Sequence, residues 1–241
     1  MIKISNATKK YAKQTKAVDT LNLEVRPGEI FGFIGPNGAG KTTTIKMITG
    51  ITDFDEGAVS VNGFDIKTQA LEAKKQFGYV PDSPDIFLRL KGIEYLNFMA
   101  NIYDVSKENR QARIQELAEK FEMKNALGDK IQGYSHGMRQ KIVLMGALLH
   151  KPKLWILDEP MTGLDPKSSY LLKEMMKEHA SLGNSVFFST HVLEVAEKLC
   201  DRIGIINHGK LVYCGTMQEL KDKFASDASL ETIFLEMTKN V

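Results

Sequence analysis

The sequence has few cysteines, no long apolar run and almost no net charge, and each absence excludes a class of protein. Two cysteines, Cys200 and Cys214, are too few for a disulfide framework and lack metal-ligand spacing. We therefore expect both thiols to be reduced. The 32 Lys and Arg side chains nearly balance the 30 Asp and Glu side chains, which gives a net charge of +2. We expect no nucleic-acid partner, because nucleic-acid-binding proteins carry a strongly basic face.

The sequence shows neither a membrane span nor a secretion signal. The longest apolar run, residues 142–149, has eight residues, whereas a helix that crosses a bilayer needs ~20. Residues 1–5 lack the apolar stretch and the cleavage site of a signal peptide. The chain of 241 residues suffices for one large domain or two small ones. We expect a soluble, cytoplasmic protein.

The order of strand-like and helical segments predicts an α/β fold. Alternating or fully apolar runs predict strands at residues 21–25, 30–34, 59–61, 77–80, 154–157 and 186–188. Helical periodicity follows the glycine-rich segment near residue 40 and covers residues 92–149 and 167–182. Strands that alternate with helices in this way imply a parallel sheet with helices on its faces.

The shifts in composition also predict how the chain is divided. We expect a core of residues 1–81 and 150–225, which is split by a helical insertion at residues 82–149. Residues 226–241 are expected to form a C-terminal amphipathic helix. Its apolar face would consist of Leu230, Ile233, Phe234 and Met237.

Residues 35–42 fit the phosphate-loop pattern G-x-x-x-x-G-K-[ST] at every fixed position. They are Gly35, Pro36, Asn37, Gly38, Ala39, Gly40, Lys41 and Thr42. Glycines let successive N–H groups point at one anion, and the N-terminus of the following helix adds partial positive charge. Lys41 can reach the outer phosphates, and the Thr42 hydroxyl can ligate Mg²⁺. The loop and the adjoining Thr43 predict a nucleoside triphosphate site, without deciding between a kinase, a GTPase and an ATPase.

An acidic pair, Asp158 and Glu159, directly follows the apolar strand at residues 154–157. Because a parallel sheet presents its strand ends along one edge, both carboxylates can face Lys41. Asp158 would orient Mg²⁺ or its waters. Glu159 would polarise the attacking water as general base, a role that contributes about 10²–10⁴-fold. The alternative is an acidic pair that merely ends a strand. The phosphate loop in the same chain favours the catalytic interpretation over this alternative.

Residues 134–138, Tyr-Ser-His-Gly-Met, precede a predicted helix and add a further motif. Here the sequence resembles the ATPase subunits of ATP-binding-cassette (ABC) transporters, whose signature reads Leu-Ser-Gly-Gly-Gln. The resemblance covers nearly the whole chain, with six motifs in the order of the family. The fold that it implies is a P-loop NTPase core with a mostly parallel sheet, an N-terminal antiparallel β region and an inserted α-helical subdomain.

The resemblance implies roles for four further residues. Tyr11 matches the aromatic residue that stacks on adenine, and His191 matches the switch-loop histidine that contacts the γ-phosphate. Asp82 stands where the family has the glutamine of the Q-loop, and we count it as a candidate ligand of Mg²⁺. Asp165, in the segment that resembles the D-loop, is expected to contact an opposite subunit.

The resemblance also implies that one chain is incomplete. In the family, two cassettes pair head to tail around two ATP molecules, and each ATP lies between one phosphate loop and the partner's signature, here Ser135 and Gly137. The implied partners are a second ATPase subunit, identical or different, and an integral-membrane permease that contacts a surface near residues 81–90. The chain would then lie on the inner face of the cell membrane. The acidic Q-loop position and the short C-terminal helix are more similar to exporter-type subunits, so we expect export.

Three residues depart from the family pattern. The carboxylate of Asp82 would attract Mg²⁺ but repel the γ-phosphate, which leaves the net effect open. His136 replaces a signature glycine, and its imidazole either adds positive charge toward the partner's ATP or is a tolerated surface side chain. Met138 replaces the signature glutamine and cannot donate the hydrogen bonds of an amide.

Two other functions remain open at this point. One is a soluble ABC-type ATPase that acts on ribosomes or DNA, although such relatives often have two fused cassettes or a coiled-coil insertion with sustained heptads. The other is a regulatory module whose output is ATP binding alone, which Glu159 and His191 argue against. The transported substrate is not encoded in this chain, because the permease would select it.

Overall fold

The computed structural model describes residues 1–11, 15–224 and 230–239. Its strands are β1 Ile2–Lys10, β2 Lys16–Val25, β3 Ile30–Ile34, β4 Glu56–Val61, β5 Phe64–Asp65, β6 Phe77–Val80, β7 Leu154–Leu157, β8 Ser185–Thr190, β9 Arg202–Asn207 and β10 Lys210–Gly215. Within the described residues they form a four-stranded sheet of order β2-β1-β4-β5 and a six-stranded sheet of order β10-β9-β3-β8-β7-β6. The predicted strands are confirmed within β2, β3, β4, β6, β7 and β8.

The larger sheet is parallel except at one edge. Strands β9, β3, β8, β7 and β6 pair in parallel, and only β10 joins antiparallel, to β9. Every residue of β3, β7 and β8 is buried, because helices and the second sheet cover both faces. The smaller sheet is antiparallel, with β1 paired to β2 and β4. The predicted α/β class is therefore confirmed, including the antiparallel N-terminal region.

The helices are α1 Lys41–Ile48, α2 Ala70–Lys74, α3 Gly92–Ile102, α4 Lys107–Lys120, α5 His136–Leu148, α6 Pro166–Ser181, α7 Leu193–Leu199, α8 Met217–Lys223 and α9 Leu230–Lys239. Three of them, α3, α4 and α5, lie between β6 and β7 and share one buried apolar cluster with Trp155 of β7 and Met176 of α6. The buried residues of α4, Ile114, Leu117 and Ala118, belong to that cluster. None of the helices in the described residues is long and apolar enough to cross a bilayer.

The C-terminal helix α9 packs through Ile233, which is fully buried, against a cluster that includes Leu220 of α8. Phe234 and Met237 pack against the same cluster, as the predicted apolar face requires. Residues 226–229 and 240–241 of the predicted segment, and the side chain of Leu230, lie outside the described residues. Both cysteines are free thiols.

Strands β9 and β10 form a hairpin that periodicity did not indicate. Its turn contains His208 and Gly209, both with positive φ, in the conformation typical of tight hairpin turns. The hairpin extends the parallel sheet beyond β3. The main-chain oxygen of Ile206, in β9, lies against the glycine-rich loop, so this hairpin supports the site described below.

We expect Phe187→Ala to destabilise the fold by about 3–5 kcal/mol, because the ring is fully buried and truncation leaves a cavity. Phe187 stacks on Phe31 at 5.8 Å and lies 5.5 Å from Phe33 between ring centroids. Denaturant-induced unfolding measures the loss. The control is Phe98→Ala, whose ring is 42% exposed and should cost about 1 kcal/mol or less. Equal losses in the two variants would contradict the central position of Phe187.

Candidate functional site

The predicted site residues converge on one edge of the larger sheet. The glycine-rich loop follows β3, Asp82 follows β6, Asp158 and Glu159 follow β7, and His191 follows β8. These four strands run in parallel, so their carboxyl ends lie side by side. Crevices at this edge are where open parallel sheets bind ligands.

Glycine is required at two positions of the loop by close backbone approach. At Gly40, φ is +111°, and a Cβ would collide with the main-chain oxygen of Ala17. At Gly35, a Cβ would lie 2.5 Å from the main-chain oxygen of Ile206. The loop is thereby held against β2 and β9, and helix α1 starts immediately after it, at Lys41. Its N-terminus thus faces the loop, as an anion site requires.

A cavity of about 210 Å³ opens beside the loop. Its lining residues are Ala17, Pro36, Asn37, Gly38, Gly40, Lys41, Thr42, Thr43, Asp82 and Glu159. Of the predicted loop residues, Gly35 and Ala39 are instead buried and do not line the cavity. Ala17 was not predicted, since a small residue at the start of a strand gives no signal in the sequence.

Lys41 and Glu159 line this cavity and are connected to His191, which does not line it. The Lys41 ammonium donates to the main-chain oxygens of Gly35 at 2.7 Å and Pro36 at 3.3 Å, and it lies 3.5 Å from Glu159 Oε1. The other carboxylate oxygen, Oε2, lies 2.9 Å from His191 Nδ1. Glu159 has φ of +47°, a left-handed conformation that costs energy for a residue with a side chain. The structure therefore holds this carboxylate between two nitrogen groups at the expense of backbone strain.

Ser189 connects the two acidic residues, and the sequence reasoning assigned it no such role. Its Oγ donates to Asp158 Oδ1 at 2.6 Å and accepts from the Glu159 main-chain N–H at 3.0 Å. Ser189 is fully buried at the end of β8. A serine among the apolar residues of a central strand was the available signal, because a buried hydroxyl needs a partner.

Asp158 has an unusual electrostatic environment. Burial raises the pKa of its carboxyl, the hydroxyls of Ser189 and Thr42 oppose that rise, and the nearby charges of Asp82 and Glu159 reinforce it. Its second oxygen, Oδ2, is buried and has no hydrogen-bond partner in the described part of the chain. A bound cation would satisfy this oxygen and favour the ionised carboxylate.

The residues present fit Mg²⁺ bound together with a phosphate ligand. In the described residues, no group of three or more His, Cys, Asp or Glu side chains could enclose a metal alone. Mg²⁺ in nucleotide sites is usually held by one or two carboxylates plus substrate phosphates. The unpartnered Oδ2 of Asp158 and the nearby Thr42 hydroxyl supply hard oxygen ligands of this kind. Asp82 also lines the cavity.

Tyr11 lies at the edge of this region rather than in the cavity. Its ring is 48% exposed, and Lys9 Nζ lies 5.5 Å from the ring centroid. Its main-chain N–H donates to the oxygen of Thr15 at 3.0 Å, just before the start of β2 and Ala17. An exposed ring tied to the segment that lines the cavity is compatible with stacking on a base.

Ser135, Gly137 and Asp165 do not line the cavity formed by the described residues. Ser135 caps α5, where its Oγ accepts from the Met138 N–H at 3.3 Å. Asp165 caps α6, where it accepts from the Ser168 N–H at 2.9 Å. The side chain of Met138 packs partly into the apolar cluster of the helical region, which explains an apolar residue at that position.

Comparison with known proteins gives consistent results. Residues 18–162 match the family model described as ABC transporter. The chain is 36% identical over 231 residues to the linearmycin resistance ATP-binding protein of Bacillus subtilis, covering 96% of this chain and 74% of that protein. It is 34% identical over 222 residues to the Nod factor export ATP-binding protein I of Cupriavidus metallidurans, covering 92% and 73%. A solved ATP-binding subunit of an ABC transporter is 33% identical, with a TM-score of 0.94 over 99% of this chain and 100% of that one.

We expect Ser189→Ala to lower kcat for nucleotide hydrolysis about tenfold, because Asp158 and the Glu159 N–H lose their shared partner and small displacements at a reacting centre are costly. Steady-state kinetics measures the change. The control is Ser185→Ala, at the opposite end of β8, where the hydroxyl donates to the Arg26 oxygen and accepts from the Gly28 N–H. That variant should lose stability by about 1–3 kcal/mol and retain kcat. A normal kcat in Ser189→Ala would contradict the bridging role.

Proposed function

This chain belongs to the ABC transporter family, as a subunit that binds and hydrolyses ATP, and from this premise we propose that it pairs head to tail with a second cassette and drives a separate membrane permease in export. The observation that carries the proposal is that the predicted ATP-binding residues fall into two groups at different places on the chain. Lys41 and Glu159 line one cavity and His191 contacts Glu159, whereas the signature residues Ser135 and Gly137 do not line it.

In the proposed reaction, Glu159 acts as the general base. Its carboxylate accepts a proton from the water that attacks the γ-phosphate. Lys41 binds the outer phosphates, and His191 contacts the γ-phosphate while its Nδ1 keeps Glu159 oriented. Ser189 holds Glu159 and Asp158 in register through its two hydrogen bonds. Tyr11 stacks on the adenine.

We propose that Asp158 and Thr42 bind Mg²⁺ together with the phosphates and that Asp82 stands near the ion. The ion would neutralise developing charge on the phosphates and polarise them. Among the lining residues of the described chain, Lys41 is the one cation, whereas Asp82 and Glu159 are anions. A polyanionic nucleotide therefore needs a cation to enter such a cavity, which supports this assignment.

Pairing of two cassettes follows from the position of the signature. Ser135 lies at the N-terminus of the 13-residue helix α5, where main-chain N–H groups and the helix dipole favour an anion. Because Ser135 and Gly137 do not line their own cavity, we propose that the ATP that they serve is that of a second subunit. Asp165, at the N-terminus of α6, would lie in the same interface.

An apolar groove supports docking of a membrane subunit. The groove, of about 360 Å³, lies between α2 and the C-terminal part of α3. It is bordered by Ile51, Leu71 and Ile102, whose side chains are 58%, 73% and 51% exposed. Phe98 and Phe87 continue the apolar surface, with ring centroids 5.3 Å apart. A contiguous exposed apolar surface of this kind marks an interaction site, and we propose that a cytoplasmic segment of the permease fills it.

Export is the direction that we propose. One relative is named for export of Nod factor and another for resistance to linearmycin. The acidic Asp82 at the Q-loop position is similar to exporter-type subunits. The groove would place the chain on the inner face of the cell membrane, beside its permease.

The Glu159→Gln variant tests the assignment of the base. It should bind ATP normally but hydrolyse it about 10²–10⁴-fold more slowly, and ATP should shift it from monomer to dimer in size-exclusion chromatography, because the closed state is no longer released. Glu194→Gln, at an exposed glutamate of α7, is the matched control and should behave as the wild type. Hydrolysis at the normal rate by Glu159→Gln would show that another group is the base.

The groove is tested by Leu71→Lys with Leu182→Lys as its control. Both leucines are more than 70% exposed, at 73% and 72%, but Leu182 borders a different cavity, beside α6. We expect Leu71→Lys to weaken recovery of a multi-span protein with the tagged chain from solubilised membranes about tenfold. Leu182→Lys should leave recovery unchanged, and both variants should retain the ATPase rate of the isolated chain. Equal recovery by both, or recovery of ribosomes or DNA instead, would refute docking at this groove.

A further inference from the structure

The imidazole of His136 lies directly on Gly163, in the turn between the acidic pair and α6. A Cβ at position 163 would collide with His136 Cδ2 and would lie 2.5 Å from Nε2. Gly163 also has φ of +76°. Only glycine therefore fits beneath the ring, and the contact joins the N-terminus of α5 to the loop that follows Glu159.

Gly137 also lies close to this turn. A Cβ at Gly137 would lie 3.3 Å from the main-chain oxygen of Gly163, so two successive residues of the signature lie beside the same glycine. His136 is otherwise exposed. His136, one of the side chains that depart from the family signature, thus reaches across to the neighbouring loop.

The loop beneath the ring is short and internally bonded. The Thr162 N–H donates to the Glu159 oxygen at 3.1 Å, and the Leu164 N–H donates to the Met161 oxygen at 3.3 Å. Asp165 then caps α6. Because few rotatable bonds separate Gly163 from Glu159, a displacement of Gly163 moves the backbone of Glu159, which is already held in a strained conformation with φ of +47°.

We propose that His136 is a positioning residue whose ring packs on Gly163 and thereby keeps Glu159 between Lys41 and His191. The inference rests on the proposed role of Glu159 as base. In this proposal, His136 acts within its own chain, through the packing of its ring. It does not act through a charge directed at the partner's ATP. Gly163 is its counterpart, since it provides the space that the ring occupies.

The test compares three substitutions of His136 in ATPase kinetics of the full chain. We expect His136→Gly and His136→Ala to lower kcat about tenfold and to leave KM for ATP within about twofold, because an interaction that positions the base acts on the chemical step. His136→Phe retains a flat ring without nitrogen and should restore most of kcat. His136→Ala controls for the flexibility that glycine adds at the start of α5.

A double-mutant cycle with Gly163→Ala tests the contact itself. The strain of alanine at positive φ affects both backgrounds, but the collision with the ring is present only where His136 is retained. We therefore expect Gly163→Ala to reduce kcat more in the wild type than in His136→Gly.

Three results would overturn the proposal. They are wild-type kinetics in His136→Gly, an increase in KM at unchanged kcat, and a His136→Phe variant as slow as His136→Gly. The second or third would assign the imidazole to contact with ATP across the dimer. Failure of the proposed base is distinguishable, because Glu159→Gln would then hydrolyse ATP normally whatever residue occupies position 136.

Discussion

The parallel hydrogen bonding of β3, β8, β7 and β6 is the constraint on which the site depends. Ile34 pairs with Thr190, and Leu157 pairs with Phe188, so the loops that follow these strands emerge at one edge, with β7 ending two residues before β3 and β8. Residues far apart in the chain are thereby placed within hydrogen-bond reach. Strands β3, β7 and β8 are fully buried. The stability of this core offsets the cost of two unfavourable features beside it, namely the left-handed backbone of Glu159 and the Asp158 oxygen that has no partner among the described residues.

The carboxylates at this edge would oppose the binding of a phosphate ligand that carries no cation. Two unit charges ~4 Å apart interact by about 4 kcal/mol at an effective dielectric of 20, so carboxylates around a phosphate site oppose binding unless they are compensated. Lys41 compensates part of this charge through Glu159. Burial is the chief cause of the raised pKa of Asp158. A bound metal ion would favour the ionised form of this carboxyl. Nucleotide and Mg²⁺ are thus expected to bind as one unit, and a nucleotide without the metal should bind weakly.

The features that depend on a local sequence pattern could be predicted from the sequence. The contacts between loops from different parts of the chain could not. The phosphate loop, the acidic pair and the strands that precede them are contiguous motifs with their own physical reasons, so they were identified from the sequence. The hydrogen bonds of Ser189 and the contact of His136 with Gly163 join segments from different parts of the chain, and they follow from the strand order and the paths of the loops. Asp82 is intermediate: its position after β6 places it in the cavity, whereas the balance between attracting Mg²⁺ and repelling phosphate depends on distances to a bound nucleotide.

The signature does not line the cavity of its own chain. In the proposed dimer, hydrolysis of ATP at one site would therefore change how the two cassettes are paired. A ligand shifts a conformational equilibrium only by its differential affinity for the two states. In the proposed mechanism, a site completed by a second subunit supplies that difference, because Ser135 and Gly137 would contact ATP only when the cassettes are closed. Hydrolysis with Glu159 as the proposed base would remove the γ-phosphate and with it part of this contact, so the closed state would lose its advantage. The contact of His136 with Gly163, which lies close to Gly137 as well, would then place the signature that serves one ATP against the loop that carries the proposed base for the other. By linkage, ATP binding at the two sites would then be coupled reciprocally, and in the proposed mechanism the apolar groove beside α3 is the surface through which the movement reaches a membrane partner.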